Sequence, residues 1–311
     1  MKPVKLALTP RTAALVSVIS NTTLVAGKIG IGLFTGSVAV LSEGLHSGLD
    51  LVAAVIALYS VSVSARPADQ DHPYGHGKIE NVSGMIEAML IIAAGVFIVH
   101  QAIEKLVAGE KVEHVEIGLG IMLVSVIMNL LVSRILFRAA KQHDSMALYA
   151  DAQHLTTDVY TSAGVLAGLF LVRVTGQHWL DPAAAIGVAL LIVYVGLRVM
   201  RSSSVDLIDR KLPEAEEKKI IEIIEHHAGQ YVNYHNMRTR KAGAHRFADL
   251  HLVVCGYDNV EEAHKFCDHI EKDIKREFKN MSISIHLEPC GLKKKECDDV
   301  CPLHGTPKSE S

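Results

Sequence analysis

The stretch SVAVLSEGLHSGLD, ending at Asp50, sets an acid, an imidazole and a second acid inside an otherwise apolar run. Side chains four apart on a helix share a face, so His46 and Asp50 project together, and Glu43, three before His46, lies beside that stripe. The stretch YADAQHLTTD repeats the order: Asp151, then His154 three residues on, then Asp158 four later. Two helices that each offer His-x-x-x-Asp supply two imidazole nitrogens and two carboxylates, a tetrahedral donor set for a borderline divalent ion, most naturally zinc. A carboxylate at mid-bilayer costs roughly 2.5–3.5 kcal/mol even on an insertion scale, so two of them call for a compensating cation. The plainer alternatives are acids at span ends or acids paired with Lys28. Glu43 and Asp151, one turn outside the His-Asp pairs, read as path residues or as structural ones.

The elements that hold these residues are long and apolar. The chain has 311 residues, 49% hydrophobic and only 5% aromatic. Six windows of about 20 residues or more, enough for a helix to cross a ~30 Å hydrocarbon layer, carry only isolated charges. They are Thr12–Phe34, Ser37–Ser64, Val82–Ala102, Glu116–Leu136, Ala147–Leu171 and Leu180–Val199. One soluble core does not explain six such runs joined by short polar links, so membrane lipid is the surrounding of this part. Lys2, Lys5, Arg11, Arg66, Lys78, Arg138, Lys141, Arg198 and Arg201 gather on one side of the resulting topology, against Lys105, Lys111 and Arg173 on the other. The positive-inside rule then puts both termini in the cytoplasm. A net charge of -3 gives no reason to expect a nucleic-acid partner.

After Arg201 charges become frequent and a soluble domain begins. PEAEEKKIIEIIEHHAG reads as an amphipathic helix with acids in its first turn and Gly229 as a stop. Strands follow around His235–Arg240 and Arg246–Cys255, joined by KAGAH, then a helix over NVEEAHKFCDHIEKDIKREF and a strictly alternating strand, MSISIHLE. The expected organisation is a cytosolic segment 1–11, a transmembrane domain 12–205, an α+β domain 206–290 and a Cys- and Lys-rich tail 291–311. The fold class is a membrane all-α bundle of six transmembrane helices followed by a small cytosolic α+β domain of ferredoxin or metallochaperone type. All five cysteines fall in the last third, on the reducing side, so thiols or metal ligands are expected rather than disulfides. Glu87, His100 and Asn129, single polar residues in the third and fourth spans, read as helix–helix hydrogen-bonding groups.

Taken together, SVAVLSEGLHSGLD, HPYGHGKIEN before the third span, HLTTD in the fifth, DLIDRKLP after the sixth and the soluble domain resemble the cation diffusion facilitator family of metal transporters. The resemblance runs from about residue 12 to 290. It implies a transport site of His46, Asp50, His154 and Asp158, with the histidine pair resembling zinc-type members, and a departure at Glu43, where the family often has Asp. It implies a second site at the membrane face from Asp69, His72 and His76. The spacing of the two histidines in a loop with Gly and Pro allows this, though a solvated loop would look the same. It further implies a cytosolic two-metal cluster at a homodimer interface from His235, His251, His264, His286 and Glu288, the last an Asp in many relatives. Strand alternation does set His286 and Glu288 opposite Ile283, Ile285 and Leu287, and Asp249 and His251 opposite Leu250 and Leu252. Lys78 and Asp209 match a charge pair that holds dimer partners in the family. Cys290, Cys297, Cys301 and His304 read equally as soft-metal ligands or as incidental thiols.

The function expected is export of zinc from the cytosol by metal/proton antiport with alternating access, as a homodimer in a bacterial inner membrane. Zn2+ is both substrate and structural or regulatory ion, exchanged against protons. Iron, cobalt, cadmium or manganese export, or a membrane-tethered metal sensor without flux, are the alternatives. An intramembrane zinc hydrolase would require an open ligand position and a base such as His-Glu-x-x-His supplies, and that motif is absent, so no enzyme is expected.

Overall fold

A computed structural model describes residues 8–35, 38–108, 116–177 and 179–291. The chain divides after Leu207 into two units.

The first unit consists of six helices: α1 Pro10–Thr35, α2 Val38–Ser64, α3 Lys78–Ala108, α4 Glu116–His143, α5 Met146–Thr175 and α6 Leu180–Leu207. All six are long and apolar enough to cross a membrane. In lipid, only intrahelical bonding satisfies the backbone of such segments. Several helices outrun their apolar windows: α3 starts at Lys78 rather than Val82, α4 reaches His143 rather than Leu136, and α6 reaches Leu207 rather than Val199. Hydropathy marks the part in hydrocarbon, whereas helical hydrogen bonding continues into the polar layer. The start of α5 is fixed by Ser145, whose hydroxyl accepts from the Leu148 amide, and its end by Gly176 at φ 69°.

Helices α1 and α2 pack along each other, as do α3 with α6 and α4 with α5, while α2 also touches α3 and α5. The α3–α6 pair is close because Gly196 has no side chain. A Cβ there would lie 2.6 Å from Ile92 Cγ1 and 3.3 Å from the Ala88 carbonyl oxygen, and the latter is backbone that cannot rotate away. Gly196→Leu should therefore destabilise the bundle by about 1–3 kcal/mol, read as a lower melting temperature in detergent. Gly187→Leu on the same helix, where a Cβ meets nothing within 4 Å, should leave it unchanged.

One buried acid joins three helices. Glu80, near the start of α3, accepts from Ser64 Oγ at the end of α2 at 2.7 Å and from Ser145 Oγ before α5. Its neighbour Asn81 donates to the Ser203 carbonyl at 3.3 Å, tying α3 to α6.

The second unit has the order α7 Glu214–His226, β1 Asn233–Ala242, β2 His245–Val254, α8 Val260–Glu277, β3 Met281–Pro289. The sheet runs β1-β2-β3, antiparallel between β1 and β2 and parallel between β2 and β3. The parallel pair needs a crossover, and α8 supplies it. Ala248, Leu250, Leu252 and Val254 of β2 pack with Ile220 and Ile224 of α7, Cys267, Ile270 and Ile274 of α8, and Met281 and Ile283 of β3. Both helices thus cover one sheet face, and the period of two turns the odd positions of β2 and the even positions of β3 to the other.

Candidate metal centres

In the membrane unit, the ligand atoms of His46 and Asp50 on α2 and Asp158 on α5 all lie within 4.8 Å of one another. The fourth expected residue, His154, places Nε2 3.1 Å from Asp50 Oδ1. The structure thus brings all four predicted residues to one place between α2 and α5. Asp50 and His154 are each only 6% exposed, whereas His46 is exposed. Zinc bonds of ~2.0–2.2 Å set tetrahedral edges near ~3.4 Å, against the 4.8 Å within which the ligand atoms of His46, Asp50 and Asp158 lie and the 3.1 Å between His154 and Asp50.

The surroundings of this site are acidic. Asp151, one turn nearer the start of α5, is fully buried, and neither carboxylate oxygen has a hydrogen-bond partner among the described residues. Glu87 on α3 is also fully buried and lies within electrostatic reach of Asp151 and His154. Glu87 was expected to bond between helices. Instead it accepts from Ser83 of its own helix at 3.3 Å, and its place beside the site appears only when α3 is seen against α5. Lys28 of α1 donates to Ser47 Oγ at 2.8 Å. His100 also departs from its expected role: it is exposed and sits 3.6 Å from Glu104 on the same helix. Asn129 is buried. Glu43 falls within α2, but its side chain is outside the described residues.

The loop between α2 and α3 brings Asp69, His72 and His76 together, with ligand atoms within 4.8 Å. Asp69 Oδ1 accepts from the His72 amide at 2.7 Å and the Asp71 amide at 3.1 Å, while Oδ2 is 3.3 Å from His76 Nε2. Gly75, at φ 82°, makes the reversal that returns His76 to Asp69. The backbone amide of His72 holds the Asp69 carboxyl below its usual range, so it is anionic at physiological pH.

In the soluble unit three imidazoles form a row straight across the sheet, because His235 of β1 pairs with His251 of β2, which pairs with His286 of β3. Ring centroids are 5.2 and 4.9 Å apart along the row. Glu288 closes it: Oε1 is 2.7 Å from His251 Nδ1 and 4.0 Å from His286 Nε2, and Oε2 is 3.2 Å from His235 Nε2. The hydrogen bond from His251, aided by charge on the other two imidazoles, lowers the Glu288 pKa. A bulge after His235, with Asn236 at φ 54°, interrupts the β1 ladder next to this row. His264 does not join the row within one chain. It sits on α8, exposed, with Nε2 3.9 Å from Asp268.

The two residues expected to form a charge pair belong to different units: Lys78 Nζ is 3.4 Å from the Leu207 carbonyl, and Asp209 is 3.6 Å from Arg240 Nη1. Cys290 is half-buried beside Cys255, while Cys297, Cys301 and His304 lie outside the described residues. Cys255, Cys267 and Cys290 form no disulfide among the described residues. Burial pushes Cys267 up to about 11, which makes it a core residue and a poor metal ligand.

The family model "Cation efflux transmembrane domain" matches residues 14–208, and "Cation efflux protein, cytoplasmic domain" matches residues 212–290. The chain is 36% identical over 262 residues to the uncharacterized transporter sll1263 of Synechocystis, covering 84% of each. It is 30% identical over 284 residues to the cation-efflux pump FieF of Salmonella paratyphi A, covering 91% of this chain and 94% of that one. Among solved structures it is similar to CzrB in its zinc form, at 38% identity over 28% of this chain and 98% of that one, with a TM-score of 0.26. Six membrane-spanning helices, a three-stranded α+β unit and a family match to both lead to one conclusion: the chain is an integral membrane protein of the cation efflux family, a transporter of divalent metal ions and not an enzyme.

Proposed function

We propose that the chain exports zinc from the cytosol in exchange for protons, through His46, Asp50, His154 and Asp158. The observation that carries this reading is the 3.1 Å contact between His154 Nε2 and Asp50 Oδ1. A proton held between those two atoms and a metal ion bound to them exclude each other, since metal ligation needs a bare carboxylate and an imidazole with a free lone pair. The same donors therefore serve both ions in turn. Two imidazoles with two carboxylates favour zinc over harder cations.

Depth supports a transport role. Asp50 is twelve residues into α2 and Asp158 twelve into α5, about 18 Å at 1.5 Å per residue. Consecutive spans alternate in direction, so α2 and α5 enter from opposite faces and the four donors sit near mid-membrane. That is where alternating access requires a site. Asp151 and Glu87 extend the acidic character from the site toward the start of α5, the cytosolic side by the positive-charge bias. Asp69, His72 and His76 form a peripheral site at that side. The soluble unit dimerises, and its imidazole row with Glu288 binds zinc there; His264, turned from its own row, becomes a ligand only when a second copy brings it across. The protein resides in a bacterial plasma membrane with both termini in the cytosol.

The test is counterflow in proteoliposomes carrying a zinc dye on one side and a pH dye on the other. Acid on the side that receives zinc should speed zinc entry several-fold, and each zinc pulse should drive a proton movement in the opposite direction. Zinc flux that ignores the pH gradient and moves no protons would overturn the antiport reading.

A further inference from the structure

A fourth donor group stands in the soluble unit, away from the imidazole row. His227, the residue that ends α7, and His269 and Asp273 of α8 bring their ligand atoms within 4.8 Å of one another. Both imidazoles aim Nε2 at one oxygen: Asp273 Oδ2 is 3.2 Å from His227 and 3.7 Å from His269. The first distance is a hydrogen bond; the second is too long for one. A carboxylate oxygen shared in this way leaves a gap between three donors that a single ion with bonds of ~2.0–2.2 Å would fill.

The ligands are held before any ion arrives. His227 is 5% exposed, its ring lies against Phe266 at 6.0 Å and His269 at 5.2 Å, and its amide bonds back to Ile224. His269 and Asp273 are four apart on one regular helix and share a face. Arg276 donates to Asp273 Oδ1 at 2.7 Å, which leaves Oδ2 for the imidazoles. Such outer partners orient metal ligands rather than merely balance charge. The helices cover one face of the sheet, while His235, His251 and His286 stand on the other, so the two donor groups are distinct.

We propose that His227, His269 and Asp273 form a further binding site for a borderline divalent ion of the zinc or cobalt class, with its fourth position open to solvent beside the exposed His269. An ion there joins the end of α7 to the middle of α8 and ties together the two helices that cap the sheet. This assignment does not depend on the transport mechanism, and its readout is bound metal rather than flux.

The experiment uses the full-length protein in detergent, equilibrated with zinc alone and then analysed for metal per chain, alongside thermal melts with zinc and with chelator. His269→Ala removes an exposed side chain, so its melting temperature in chelator should match that of the unaltered protein. It should lose about one zinc per chain and most of any zinc-induced rise in melting temperature that this site contributes. Asp273→Asn, close in shape, should lose the same equivalent or weaken it at least tenfold. In a His251→Ala background, which impairs the row on the opposite face, His269→Ala should still remove its own equivalent, because separated sites act additively. Zinc content unchanged in both His269→Ala and Asp273→Asn, or no further loss in the His251→Ala background, would overturn the proposal.

Discussion

Asp50→Ala and Asp158→Ala should each reduce zinc flux into proteoliposomes to background, a loss of at least ~100-fold given that even outer partners of a metal ligand cost 10–100-fold when removed. Each change takes away one of two anionic donors at a site whose ion carries two charges. Asp50→Ala also leaves His154 Nε2 without the oxygen it approaches at 3.1 Å, in a pocket where that side chain is 8% exposed. Asp50→Asn is the informative companion, because an amide keeps the size and a hydrogen bond to the imidazole but not the charge. It should fold normally and still fail to transport. Normal flux in either alanine variant, with protein reconstituted at equal density, would show that the ion travels elsewhere.

The second large effect concerns which ion is carried. His46→Asp turns two imidazoles and two carboxylates into one imidazole and three carboxylates, a harder donor set. Zinc transport relative to manganese should fall by about tenfold or more, equivalent to ~1.4 kcal/mol of discrimination. His46 is exposed while Asp50 and His154 are buried, so the exchange changes the donors without disturbing packing. Competition between the two metals in the same vesicle assay gives the ratio directly. A ratio that does not move would mean that His46 stands beside the ion without binding it.

The proposed transport residues were legible as a cluster because helical periodicity in a hydrophobic run leaves few places for an acid and an imidazole to go. His46 and Asp50 announce one face, His154 and Asp158 another, and their meeting follows once both spans are packed. The row of His235, His251 and His286 was half legible. Alternation gave the faces, but only the register between strands shows three imidazoles side by side. Residues brought together by packing alone were not legible. Glu87 looked like a group for bonding to a neighbouring helix because sequence does not say which helix α3 faces at that depth. His227, His269 and Asp273 went unread although His269 and Asp273 share a face by their spacing, because the third donor sits at the end of another helix more than forty residues away. His264 shows the converse: the resemblance placed it with the row, while α8 carries its ring away toward Asp268 within one chain.

The buried carboxylate of Glu80 constrains how the bundle can work. Its two hydroxyl partners belong to the end of α2 and the start of α5, the helices that carry the proposed metal donors. Scissoring those helices apart at this end would break both bonds, while splaying them at the far end breaks neither. Glu80 is therefore placed as the pivot of a pair of tongs. In the proposed exchange cycle, opening on the side away from Glu80 leaves both bonds intact, whereas opening on its own side requires that they break or that other helices slide past them.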